Sequence, residues 1–248
     1  MTPDNFEFRT GVIKPVECVK EGWALIKDQY WLFFGISLVG LLIGGVVPIV
    51  LLGPMMVGIF ICIFCRMRRE PVEFGMLFKG FDHFVQGLIV AVLKIVPIII
   101  LMIPFYIIMF AVMFITMPRG QATPDESSRF MFTFFGFEMV FAVVVITVSI
   151  LIETFFMFAF PLVADRNLPG FDAVKLGLRA VKANFGGVLG LMLLNALLGF
   201  VGVLCCVVGL YLYLPVSFAS YAIAYRRVFP EVSQNFVSPP PPPASWAA

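Results

Sequence analysis

A chain of 248 residues that is 61% hydrophobic and 13% charged, with mean hydropathy +1.02, is too apolar for a soluble globular domain, where about a quarter of residues are charged. Its net charge of +2 is too small to point to nucleic acid as a partner, so the placement of the charges matters more than their sum. Runs such as KIVPIIILMIPFYIIMFAVMFITM (94–117) exceed the roughly 20 apolar residues that cross a ~30 Å hydrocarbon core as helix, and none alternates with period two as a membrane barrel requires. The expected class is all-α, a multi-pass helical membrane protein.

Residues 1–14 read as an N-terminal cytoplasmic segment. No apolar stretch precedes Trp31, so no cleavable signal peptide is expected. The stretch VKEGWALIKDQY (19–30) then reads as an amphipathic helix, with Val19, Trp23, Ile26 and Tyr30 on one face and Lys20 and Lys27 on another. The same frame returns as VKLGLRAVKANF (174–185), where Val174, Leu178, Val181 and Phe185 form the stripe and Lys175 and Lys182 the basic pair. Helices of this kind are expected to lie in the membrane surface with their lysines reaching anionic headgroups. A helix packed on a neighbouring one is the alternative.

A looser third version, PVEFGMLFKGFDHF (71–84), sets Phe74, Leu77, Phe78 and Phe81 on one face. All three open with proline and an acid, at Pro15 and Glu17, Pro71 and Glu73, and Pro169 and Asp172, which suits a first helical turn. Each is followed by a long apolar run closed by charge, at RMRRE (66–70), ADR (164–166) and YRR (225–227). The expected architecture is therefore six spans in three units, 15–70, 71–166 and 167–228, each an interfacial helix plus a transmembrane hairpin. Residues 229–248 end in polyproline and are expected to be a disordered cytoplasmic tail.

The run 31–65 is short for two spans, but Gly44, Gly45, Pro48, Gly53 and Pro54 crowd its middle and favour a hairpin over one kinked helix. The runs 84–117 and 130–163 are longer than a bilayer needs and must tilt, kink near Pro97 and Pro104, or protrude. With both termini inside, only Arg119, Arg129 and Lys94 of the 17 basic residues fall away from the cytoplasmic side, as the positive-inside rule requires. The segment PRGQATPDESSR (118–129) becomes the one sizeable external loop.

Ionisable residues at membrane depth mark candidate sites, and here they are Lys94, Glu138 and Glu153. Lys94 and Glu153 fall at matching depths of an antiparallel hairpin, which predicts an ion pair. That pair serves either to set helix register or to relay protons or ions. Asn195 is a candidate polar packing residue, and GLLIG (40–44) and GGVLG (186–190) carry the spacing of close helix contact. Cys62 and Cys65, like Cys205 and Cys206, read as small apolar packing residues, and His83 alone cannot build a zinc site. No catalytic or phosphate-binding motif is present in the sequence, so no catalytic residue, cofactor or metal is expected.

The order GWALIKDQYW, LLGPMMVGIF, LFKGFDHF, FPLVADRNLPGFDAVKLGLRAVKANF and LPVSFASYAIAYRRVF, over residues 17–229, resembles uncharacterised bacterial polytopic membrane proteins. A similar membrane domain precedes some glycerophosphodiester phosphodiesterases. The resemblance implies a bacterial cytoplasmic membrane and transfers no catalytic residue. The leading expectation is a non-enzymatic organiser of lipid or partner proteins at the inner leaflet. The second is a transporter or lipid translocator, the third a membrane-embedded enzyme. Expected partners are membrane lipids, other membrane proteins and a second copy of the chain, not nucleic acid.

Overall fold

In hydrocarbon every backbone N–H and C=O must find its partner within the chain, and for runs without strand alternation the α-helix is the solution. The computed structural model describes residues 8–47, 49–117, 123–204 and 207–231, and among them it contains helices and no strand. The α-helices are α1 (Pro15–Ile26), α2 (Tyr30–Val46), α3 (Leu52–Met67), α4 (Phe84–Thr116), α5 (Pro124–Phe156), α6 (Ala159–Arg166), α7 (Gly170–Ala183), α8 (Phe185–Leu204) and α9 (Val207–Val228). Five stretches are long and apolar enough to cross a membrane: Pro15–Val46, Phe74–Thr116, Ser127–Arg166, Phe185–Leu204 and Val208–Val228. Helix α3 has 16 residues, about 24 Å of rise, and falls short of that length.

The run 31–65 is a hairpin. Its turn is closed by Val50 and Leu51 amides on the Val47 carbonyl, and Gly40 and Gly44 of α2 lie against Ile59 and Leu52 of α3. Beyond α3, Arg68 grips Glu70 with two guanidinium nitrogens at 2.9 and 3.2 Å and holds that carboxyl below the usual carboxylate range.

The three short segments each lead directly into a long helix, yet each packs on a different hairpin. Helix α1 runs antiparallel along α9. Glu17 and Glu21 meet Arg227 at 3.1 and 2.7 Å, and the Tyr30 hydroxyl donates to the Leu212 carbonyl. Between them Gly22 approaches so closely that a Cβ would lie 2.8 Å from the Ser220 nitrogen. Residues Phe74–His83 pack on α3, where a Cβ on Gly80 or Gly58 would collide with the carbonyls of Pro54 or Leu77. Helix α7 packs on α4, α5 and α6, with the Gly170 amide donating to the Gln86 side-chain oxygen at 2.7 Å.

Of the expected α1 stripe, Ile26 is buried and Val19 and Tyr30 are half-buried against the core, while Trp23 is 48% exposed. Cys18 and Gly22 are buried beside it, and the closest approach is made at the glycine. The segment Phe74–His83 is a 3₁₀ helix, whose three-residue period buries Leu77 and Gly80 and leaves Phe74, Phe78 and Phe81 exposed. In α7 the expected Val174 and Val181 are buried and Leu178 is half-buried, while Phe185, the first residue of α8, is exposed.

The core sits where the ends of α3, α6 and α9 converge. The Phe64 ring lies 5.4 Å from that of Tyr225, tilted by 45°, and Tyr225 lies 5.2 Å from Phe229, itself in contact with Phe158 and Phe8. Phe229 is fully buried, so the ordered body extends past 228, and residues 232–248 of the expected tail lie outside the described residues. Residues 8–14 are also tied down: the Arg9 amide donates to the Val228 carbonyl, and Asn184 bonds both Gly11 and Arg9. Helix α4 runs unbroken through Pro97 and Pro104, and α5 already begins at Pro124 within the segment expected to be a loop. Helix α5 ends at Phe156, short of the expected 163, and α6 resumes two residues later. Beyond Pro97 no residue of α4 is buried; there α4 and α5 meet through Phe105 against Phe137 and Phe141.

Candidate functional site

Helices α5, α8 and α9 enclose a groove of about 410 Å³. Each helix brings polar side chains to it at helical spacing: Ser149 and Glu153 from α5, Asn195 from α8, and Tyr213, Ser217 and Tyr221 from α9. Phe200, Val203, Leu210 and Leu214 line the part nearer the α8–α9 turn. The groove is thus polar toward one end and apolar toward the other. Among the described residues no lysine, arginine or histidine lines it.

Lys94 of α4 and Glu153 of α5 form an ion pair, Nζ to Oε1 at 2.5 Å. The two partners differ in environment: the Lys94 side chain is 14% exposed and that of Glu153 is 51% exposed. Lys94 also lies 5.9 Å from the Phe160 ring centroid. The lysine is largely buried and is not among the residues lining the groove, whereas the carboxylate lines it.

Asn195 is buried and fully engaged. Its Nδ2 donates to the Leu191 carbonyl at 2.8 Å and to Ser220 Oγ at 3.2 Å, and its Oδ1 accepts from the Tyr213 hydroxyl at 2.7 Å. Ser220 in turn donates to the Ser217 carbonyl at 2.7 Å. Every partner of the amide is used, so this network straps α8 to α9 and forms one wall of the groove.

The other expected residues lie elsewhere. Glu138 is half-buried on α5 with no hydrogen bond or ion pair to a described residue. Lys20, Lys27, Lys175 and Lys182 are all exposed. Cys18, Cys62 and Cys65 are free and buried, while Cys205 and Cys206 lie outside the described residues. Gly187 and Gly190 of the second GxxxG run lie against Ile13 and Pro15. Among the described residues no group of three His, Cys, Asp or Glu side chains is placed to hold a metal ion.

A second charged cluster holds the core together. Arg226 binds Asp165 through two bonds of 2.6 and 3.0 Å, the Tyr225 hydroxyl donates to the same carboxylate at 2.8 Å, and the guanidinium lies 4.7 Å over the Phe64 ring. Asp165 and Arg226 are 11% and 14% exposed. The charges that close the second and third apolar runs therefore meet each other, against an aromatic ring that precedes the closing charges of the first. No matching protein-family model, curated protein or solved structure was found for the chain.

Proposed function

We propose that the chain is a six-span protein of a bacterial cytoplasmic membrane that organises lipid at the inner leaflet and is not an enzyme. The observation that carries this reading is the groove between α5, α8 and α9, about 410 Å³ in volume, with polar side chains gathered toward one end and apolar ones toward the other. A slot of that polarity suits an amphiphile, and its size falls in the range of small-molecule sites. The exposed lysines at positions 20, 27, 175 and 182 add a surface for anionic headgroups.

The six-span, three-unit reading takes α3 as the sixth crossing, shortened by the glycine- and proline-rich turn. It is supported by a cyclic pattern of packing: α1 lies on the α8–α9 hairpin, Phe74–His83 on the α2–α3 hairpin, and α7 on α4, α5 and α6. Gly22, Gly80 and Gly177 occupy matching places in the three segments, and each faces the second arm of the hairpin it packs on. Both termini then lie in the cytoplasm. A homo-oligomer or another membrane protein against the exposed α4–α5 arm is compatible with this arrangement.

Native mass spectrometry of the purified protein tests the reading. The wild type retains lipid, and Ala196→Trp, which places a bulky ring in the groove from an exposed position, releases it. Equal lipid retention by both proteins refutes the reading. A translocator is the second reading, favoured by the Lys94–Glu153 pair beside the groove. It predicts lipid or solute movement across liposomes that Glu153→Gln abolishes.

A further inference from the structure

The groove also carries information about which amphiphile it takes. Its polar end offers hydroxyls from Ser149, Ser217 and Tyr221 and the half-exposed carboxylate of Glu153. Lys94 is bound to that carboxylate and does not line the groove. A phosphate entering here would meet the Glu153 carboxylate on the groove side, with Lys94 beyond it and not lining the groove, so the like charge is the nearer of the two. A head made of hydroxyl groups would donate to Glu153 and exchange hydrogen bonds with the serine and tyrosine hydroxyls.

We infer that the α5–α8–α9 groove binds a neutral lipid with a hydroxyl head and no phosphate, of the diacylglycerol class, with its chains toward Phe200, Val203 and Leu210. The inference rests on the lipid-organising reading and names the lipid. Glu153 is the specificity-determining residue, because it accepts from a hydroxyl and repels a phosphate. Lys94 is a positioning residue, which holds the Glu153 carboxylate in place through the ion pair.

The test is a competition on the full-length purified protein, read by native mass spectrometry. Dioleoylglycerol and dioleoylphosphatidylglycerol are offered together at equal concentration. The wild type is expected to retain dioleoylglycerol over the phosphate-bearing lipid by about tenfold or more, and Ala196→Trp is expected to lose that adduct. Glu153→Gln removes the repelling charge and leaves Lys94 as a free cation, so it is expected to reverse the preference toward dioleoylphosphatidylglycerol. Should Glu153→Gln not fold, Lys94→Met with Glu153→Gln removes both charges, and discrimination is expected to fall toward unity. A wild type that holds dioleoylphosphatidylglycerol in an Ala196→Trp-sensitive manner overturns this inference and leaves the lipid-organising reading standing. Lipid adducts that Ala196→Trp leaves unchanged overturn both.

Discussion

Replacing Asp165 by asparagine removes the anion that holds the ends of α6 and α9 together. The carboxylate takes two bonds from Arg226 and one from Tyr225, and both charged side chains are largely buried. Asp165→Asn leaves a guanidinium pressed against the Phe64 and Tyr225 rings with Glu231 as its remaining carboxylate, 3.5 Å away and 60% exposed. An exposed pair of that kind offsets about 1 kcal/mol at most, whereas breaking a buried pair costs about 3–5 kcal/mol, so a net loss near 3 kcal/mol is expected. Arg226→Met should cost somewhat less, because the carboxylate keeps the Tyr225 hydroxyl and has Arg166 at 3.9 Å. The double variant should recover at least about 1 kcal/mol of the summed loss, since a buried pair is often replaceable by apolar groups. Unfolding of the purified protein in mixed micelles with increasing sodium dodecyl sulfate measures all four proteins of the cycle. Additive losses within about 0.5 kcal/mol would show that the two residues are not coupled and refute the reasoning.

The Lys94–Glu153 pair gives a second cycle: Lys94→Met and Glu153→Gln each lower thermal stability, and together they lower it by less than the sum, whereas strict additivity contradicts the pair. Gly80→Ala sets a methyl against the Pro54 carbonyl and should cost about 1–3 kcal/mol, while Gly75→Ala, with open space around it, should stay within about 0.5 kcal/mol on the same assay. Asn195→Leu strands the Tyr213 hydroxyl, while Ser220 keeps its bond to the Ser217 carbonyl, and should cost about 1–3 kcal/mol; a neutral result there would mean the network does not strap α8 to α9.

The large apolar runs and their breaks were legible because hydrophobicity and helix-ending residues act locally. The cluster Gly44, Gly45, Gly53 and Pro54 marks the α2–α3 turn, and simple depth counting brings Lys94 to Glu153. The buried face of α1 was legible in part: Ile26 belongs to the apolar stripe, but periodicity weighs bulky side chains and passes over Gly22, which makes the closest contact, against the Ser220 backbone. The same reason hides the 3₁₀ geometry of Phe74–His83, where Gly80 and Gly58 let two backbones touch. Asp165 and Arg226 each look like a solvated charge ending an apolar run, and only the convergence of α6 and α9 makes them a buried pair. The groove escaped for a related reason. Ser149, Ser217 and Tyr221 are unremarkable singly and become a site only when α5 is brought against the α8–α9 hairpin.

The crossing of α3 is the point on which the six-span account turns, and cysteine accessibility in intact cells measures it directly. With the five native cysteines replaced, single cysteines are placed at Val50, in the α2–α3 turn, and at Arg69, beyond the end of α3. The account predicts that a membrane-impermeant maleimide labels position 50 in intact cells and position 69 only after the membrane is permeabilised. Labelling of both positions in intact cells, or of neither, would place the turn and the end of α3 on the same side and contradict it.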